Sequence, residues 1–290
     1  MKLIELILLV RFLLYNWNRV NQMKVLTIKQ PYAELIGECI KRFEIRSRKT
    51  HYRGELYIHS SLTKIKFGSR KNDFLKYLNN EELEYGYILF KCTISDCVYI
   101  DEKFLKIMKQ NTPDNLYNDD CIGNYAWVIE NVVPIDNKIK SRGNLGIWNY
   151  YTDEEIMKLM AQISYGWIDK YDNRNYEVNE DFSNNYILQS PQQVLWTKIG
   201  VCWDQVELER YYFDNTKINK KTYFLCYYDD NKCPTHTFLV YEKNNCYYWF
   251  EHSWEKYRCI HTFNSIQDLL NNVKTKFIES ELNNTMKKTI

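Results

Sequence analysis

At 290 residues the chain has material for one large or two modest domains and an ample core. Its 39 basic and 37 acidic side chains leave a formal charge of +2, so bulk charge selects no partner and any basic surface is local. The nine cysteines are odd in number, scattered and without a CxxC pair, which signals neither a disulfide framework nor a zinc site; no cofactor is implied, and a reducing, cytoplasmic setting fits.

The first 22 residues stand apart. Residues 3–14 are apolar except for Glu5 and Arg11, too short and too charged for a spanning helix, so no stable membrane insertion is expected. Tyr15-Asn16-Trp17-Asn18-Arg19 offers no small-residue cleavage site for a signal peptide. Either this is an amphipathic segment that packs or touches a membrane, or it is an extension upstream of a chain that starts at Met23. The second fits better, because Met23-Lys24-Val25-Leu26 opens a strand at once.

From Met23 the predicted elements are a strand at 25–28, a helix opened by Pro31 and running to Ile40, and strands at 43–46, 55–59, 87–94 and 125–133. A helical pattern fills 71–78. Many strands and few helices predict a small mixed barrel over 23–150.

The motifs within it are Ile28-Lys29-Gln30-Pro31-Tyr32-Ala33, Lys41-Arg42-Phe43-Glu44-Ile45-Arg46, Tyr52-Arg53-Gly54, Ile58-His59-Ser60-Ser61, Tyr125-Ala126-Trp127-Val128-Ile129-Glu130 and Gly143-Asn144-Leu145-Gly146-Ile147-Trp148-Asn149. Together they resemble an ASCH domain, which implies a PUA-like β-barrel. That family's signature is a glycine followed by KxxExR. Lys41, Glu44 and Arg46 keep the spacing, while the glycine expected two residues before the lysine is Cys39. The resemblance implies a cleft where Lys29, Lys41, Arg46 and Arg53 present positive charge to an RNA or nucleotide-like ligand. Glu44 would accept hydrogen bonds from a base, and Tyr32 or Trp148 would offer stacking faces. A plainer reading makes Glu44 and Arg46 an ion pair holding a loop. The amidohydrolase activity of some relatives is not carried over, because Glu44 stands where their threonine would be.

Residues 151–186 form a helix and linker: Thr152-Asp153-Glu154-Glu155 reads as a capping box before a helix at 156–163, and 169–185 is polar and Asn-rich. Ser190-Pro191 opens a short helix. Then comes Ile199-Gly200-Val201-Cys202-Trp203-Asp204, with a helical pattern starting on the cysteine. A thiol in the first turn of a helix faces unpaired N–H groups and the positive end of the dipole, which favour the thiolate nucleophile.

Strands are expected at 223–228, 237–241, 246–250 and 261–263, with Ser265 capping a last helix at 266–277 and a frayed polar tail at 280–290. A hairpin turning at Lys243-Asn244 puts His236 opposite Glu251; one turning at Asn244-Asn245 puts it opposite Ser253 with Glu251 diagonal. In both registers the two side chains share a face, because strand side chains alternate. A buried cysteine beside an ordinary histidine is the bland alternative.

Gly200-Val201-Cys202, His236-Thr237-Phe238 and Trp249-Phe250-Glu251-His252 resemble the nucleophile, histidine and acid segments of the transglutaminase-like superfamily. The resemblance implies an α+β domain over 187–279 with Cys202 as nucleophile, His236 as general base and Glu251 in the acid position, where the family usually has aspartate. The expected fold class is α+β: an N-terminal PUA-like (ASCH) β-barrel and a C-terminal transglutaminase-like domain. The expected function is a cysteine hydrolase or acyltransferase on a protein or peptide amide, joined to an RNA- or nucleotide-binding ASCH domain. The alternative is an RNA-binding protein whose second domain is inert. For the oxyanion, the Cys202 N–H is one donor, with Trp196 and Gln193 as candidates for the second.

Overall fold

Val25 and Leu26 are both fully buried although they are neighbours, which is the mark of a strand covered on both faces. In the computed structural model, which describes residues 23–66, 68, 70–79, 82–110, 112–214, 216, 218–228 and 233–287, that strand is β1 (Met23–Ile28). Residues 1–22, and with them both readings of the opening segment, lie outside the described residues. The described residues divide into two compact units, 23–150 with 216, and 151–214 with those from 218 to 287.

In the first unit β1 runs parallel to β3 (Gly54–Ser60) and antiparallel to β6 (Ile147–Tyr150). With β2 (Phe43–Arg46), β4 (Tyr87–Tyr99) and β5 (Tyr125–Lys140) these strands make one six-stranded sheet in the order β2-β5-β4-β3-β1-β6, curled into a half-barrel. The β4–β5 pair is longer than its hydrophobic pattern predicts. It continues past Val133 through Pro134, which sits beside a register shift where a missing N–H costs little. Leu26, Ile58, Leu89, Ile94 and Ile129 fill the inside.

The first helix, α1 (Tyr32–Gly37), ends before Ile40, the predicted stop. Cys39 adopts φ 60 and the chain reverses, with Ile40 N bonding back to Leu35 O at 2.8 Å. This left-handed position is where the ASCH pattern carries glycine. A cysteine there carries the Cβ clash that glycine avoids, about 1 kcal/mol of strain. The predicted helix at 71–78 is a 3-10 segment, Arg70–Tyr77. An unpredicted helix, α2 (Glu102–Lys109), is capped by Asp101, whose carboxylate accepts from Phe104 N at 2.7 Å.

In the second unit α3 (Asp153–Met160) starts directly after Thr152, three residues earlier than predicted. The capping box closes there, with Glu155 N donating to Thr152 Oγ1 at 3.2 Å. The predicted linker holds structure: after β7 (Ser164–Tyr165), strands β8 (Trp167–Ile168) and β9 (Arg174–Asn175) form a hairpin, and α4 (Phe182–Asn185) follows. Asp169 makes this possible by accepting from Tyr171 N and Asn173 N, a side-chain turn that polarity alone does not reveal.

Next come α5 (Pro191–Thr197), β10 (Ile199–Gly200) and α6 (Cys202–Phe213). The meander β11 (Asn219–Cys226), β12 (Thr235–Lys243), β13 (Cys246–Glu251) and β14 (Cys259–Phe263) forms a four-stranded antiparallel sheet. Its alternate residues serve two cores. Leu239, Tyr241 and Phe250 pack on Val206, Leu208 and Phe213 of α6, while Phe238, Val240 and Trp249 pack on Leu269 and Val273 of α7 (Ile266–Lys287). Each such buried side chain contributes roughly 1.5–3 kcal/mol. Ser265 caps α7 as predicted, but the helix runs to Lys287 and takes up most of the expected tail. No glycine or proline interrupts 278–287. Among the described residues no helix is long and apolar enough to cross a membrane.

Candidate functional site

The turn into α6 is built tightly. A Cβ on Gly200 would approach Asp204 Cβ to 2.8 Å, so glycine is needed there. Asp204 is fully buried and accepts from Val201 N at 3.0 Å, Gln189 N at 2.8 Å and Tyr186 Oη at 2.9 Å. Burial pushes its carboxyl upward while these bonds oppose the rise. Gln205 donates through Nε2 to Gly200 O at 2.8 Å, so its Oε1 is the acceptor for His252 Nδ1 at 2.6 Å. His252 is neutral: burial, with Arg258 nearby, pulls its pKa down to about 4. Cys202, half-buried, occupies the first residue of this braced helix.

The β12–β13 hairpin turns at Asn244 and Asn245, both with positive φ as a type I′ turn requires, and pairs Lys243 with Cys246. That register leaves Glu251 diagonal to His236, and their side chains meet: His236 Nε2 lies 2.8 Å from Glu251 Oε2. The Cys202 side chain lies close enough to the same ring to act on its charge. Glu251 is almost wholly buried and has no unused oxygen. Oε2 also accepts from Trp249 Nε1 at 3.1 Å, and Oε1 accepts from Ser253 Oγ at 3.0 Å and Trp254 N at 2.8 Å. The extra methylene of glutamate is absorbed by this ring of donors. Burial alone would lower the His236 pKa, but the hydrogen bonds and charges of Cys202 and Glu251 outweigh it and raise it to about 9. Phe238 and Phe277 stack on the imidazole and Trp254 meets it edge-on.

A cavity of about 410 Å³ opens beside His236, walled by Tyr165, Ser253, Trp254, Arg258 and Phe277 among others. The residues predicted from the motifs, Cys202, His236 and Glu251, are thus brought together. Asp204, Gln205 and His252 were missed, though Asp204 at the third position of the helix was a readable capping signal. Trp196 and Gln193 do not wall the cavity. Trp196 is 88% exposed, and Gln193 Oε1 is taken by Ser190 N and Oγ at 2.8 Å each.

In the first unit Lys41, Glu44 and Arg46 form one cluster. Lys41 Nζ donates to Glu44 Oε2 at 2.6 Å, and Arg46 Nε lies 3.2 Å from Glu44 Oε1. Arg46 Nη2 also donates to Thr27 O at 3.0 Å. Lys41 and Glu44 are buried and Arg46 is half-buried, so only the arginine of this trio reaches solvent. Burial lowers the Lys41 pKa and Glu44 opposes the fall. Lys29 is exposed, and Arg53 is exposed and paired with Asp96 at 2.9 Å. Trp148 is a correction: it is buried, donating to Thr27 Oγ1 at 3.0 Å with His59 edge-on, and offers no stacking face. Next to it Gly143 has φ +72, and a Cβ there would fall 2.4 Å from His59 Cε1.

Residues 26–139 match the ASCH domain family, so the chain contains an ASCH domain, and the curled half-barrel fits the PUA-like fold. The match lies wholly within the first unit. No curated protein matches the chain.

Proposed function

We propose that the second unit is a transglutaminase-like, thiol-dependent hydrolase or acyltransferase acting on a protein or peptide amide in a reducing, cytoplasmic setting. The observation that carries this reading is the convergence of a fully bonded Glu251 carboxylate, His236 held by it at 2.8 Å, and Cys202 near the imidazole at a helix N-terminus. With its raised pKa, His236 holds a proton at neutral pH beside a thiol, the arrangement that favours a thiolate–imidazolium pair. The Cys202 sulfur attacks the carbonyl carbon and forms a C–S bond. His236 gives its proton to the leaving nitrogen as the C–N bond breaks. Water or an acceptor amine then attacks the thioester carbonyl and passes a proton back to His236, the C–S bond breaks to release the acyl product and return the Cys202 thiolate, and Glu251 fixes the ring throughout.

Iodoacetamide labelling of the full chain at neutral pH, mapped by peptide, tests this. Cys202 should label fastest of the nine cysteines, and His236→Ala should slow it at least about tenfold. Slow labelling, or indifference to His236→Ala, would leave the second unit catalytically inert.

The paired reading concerns the first unit. ASCH domains are often RNA-binding, and Lys29, Arg46 and Arg53 are the solvent-reaching cations that would meet phosphate, with Lys41 and Glu44 supporting Arg46 from within. Filter binding of short RNAs to the full chain should weaken steeply with salt, because neutralised phosphates release counterions. Lys29→Ala and Arg46→Ala should each reduce affinity and flatten the salt slope by about one unit. No binding at low salt would remove RNA as the ligand.

A further inference from the structure

The proposed reaction needs a second donor at the oxyanion, and most donors packed round the nucleophile turn are already committed. Tyr186 Oη gives its proton to Asp204, Gln189 Nε2 to Ile199 O, and Gln205 Nε2 to Gly200 O. Trp249 Nε1 and Ser253 Oγ both serve Glu251. Tyr165 is different: among the described residues its hydroxyl has no hydrogen-bond partner, and its side chain walls the cavity together with His236.

The backbone holds it beside the nucleophile. Strand β7 runs parallel to β10 and pairs Tyr165 with Gly200, two residues before Cys202. Directly after it Gly166 takes φ +149, and a Cβ there would fall 2.5 Å from Asn175 O and 2.6 Å from the Ile199 side chain. This tight packing leaves β7 little room to shift. The residue is 42% exposed overall, yet the partial burial of its phenol and the charges of Cys202, Glu251 and Asp204 nearby raise its pKa, so it keeps its proton.

We infer that Tyr165 is a catalytic residue whose hydroxyl, with the Cys202 backbone N–H, binds the oxyanion of the tetrahedral intermediate. The inference rests on the cysteine-site reading above. The bond it makes forms only once the carbonyl oxygen carries charge, so it lowers the barrier to acyl transfer without altering the thiol. Tyr165, at the cavity wall with His236, and the Cys202 N–H at the start of α6 would approach that oxygen as two fixed donors, and preorganised donors of this kind stabilise developing charge.

The test uses the full chain, p-nitrophenyl acetate as acyl donor and iodoacetamide as thiol reagent. Alkylation displaces iodide at a saturated carbon and creates no oxyanion, so Tyr165→Phe should label Cys202 within about twofold of wild type while its acylation rate falls about 10²-fold. The basic limb of the acylation pH profile, set by His236, should stay in place. Acylation at the wild-type rate would overturn the inference, and so would parallel loss of acylation and alkylation, which would make Tyr165 a support for the turn. If wild type releases nitrophenolate no faster than Cys202→Ala, the cysteine-site reading fails and takes the Tyr165 role with it.

Discussion

Glu251→Gln should destabilise the second unit by about 3–5 kcal/mol and reduce Cys202 labelling, the largest paired effect of any single change in that unit. The carboxylate lies where four donors converge: His236, the Trp249 indole, the Ser253 hydroxyl and the Trp254 backbone N–H. An amide presents one oxygen and one NH₂, so in either orientation two donors face an NH₂ inside a nearly water-free site. Loss of the charge also removes much of what holds the His236 pKa near 9, and burial then drives it down. The raised pKa means that the folded state binds the proton more tightly than the unfolded chain. Its stabilisation is therefore complete below about 6.5 and lost as pH rises through about 9. Urea titrations at pH 6 and pH 9.5 should show the gap between wild type and Glu251→Gln narrowing at the higher pH. A gap independent of pH would mean that Glu251 acts only as a packing group.

In the first unit Glu44→Met should cost about 3–5 kcal/mol, because it strands Lys41 as a buried charge. Lys41 has only 5% of its surface exposed, and its attraction to Glu44 is what opposes the cost of burial. The same substitution frees Arg46 from its 3.2 Å pairing. If the loss is mainly uncompensated charge, Lys41→Met combined with Glu44→Met should recover at least half of it, since apolar side chains of similar size often replace a buried pair at little cost. Thermal melts of the two single variants and the double variant decide this. Strictly additive losses would show that the pair contributes through packing and loop geometry alone. The result also bears on RNA: a cluster needed for folding cannot be read as a binding surface from loss of binding alone, so Lys29→Ala, outside the cluster, decides that test, and Arg46→Ala counts only where its melting temperature is unchanged.

Local chemistry made much of this chain readable without coordinates. Alternation named most of the strands, Ser265 and the Thr152 capping box announced their helices, and the Asn244-Asn245 pair was one of two turns that put His236 and Glu251 on one face. Residue types at fixed spacing were enough for the ASCH domain, because its motifs recur along the whole barrel. What depends on distant partners was not readable. Pattern alone did not show that α7 would run on to Lys287, nor that Asp169 would fold the polar stretch into a hairpin. Buried and exposed cations look identical in sequence. Lys41 was read as a surface charge, yet Glu44 and Tyr117 enclose it. The same holds around the cysteine. Sequence named Cys202, His236 and Glu251 from their own segments, but Asp204, Gln205, His252 and Tyr165 acquire roles only when strands and helices far apart in the chain converge. A hydrogen bond is decided by distance and direction in space, which spacing along the chain constrains only within a single element.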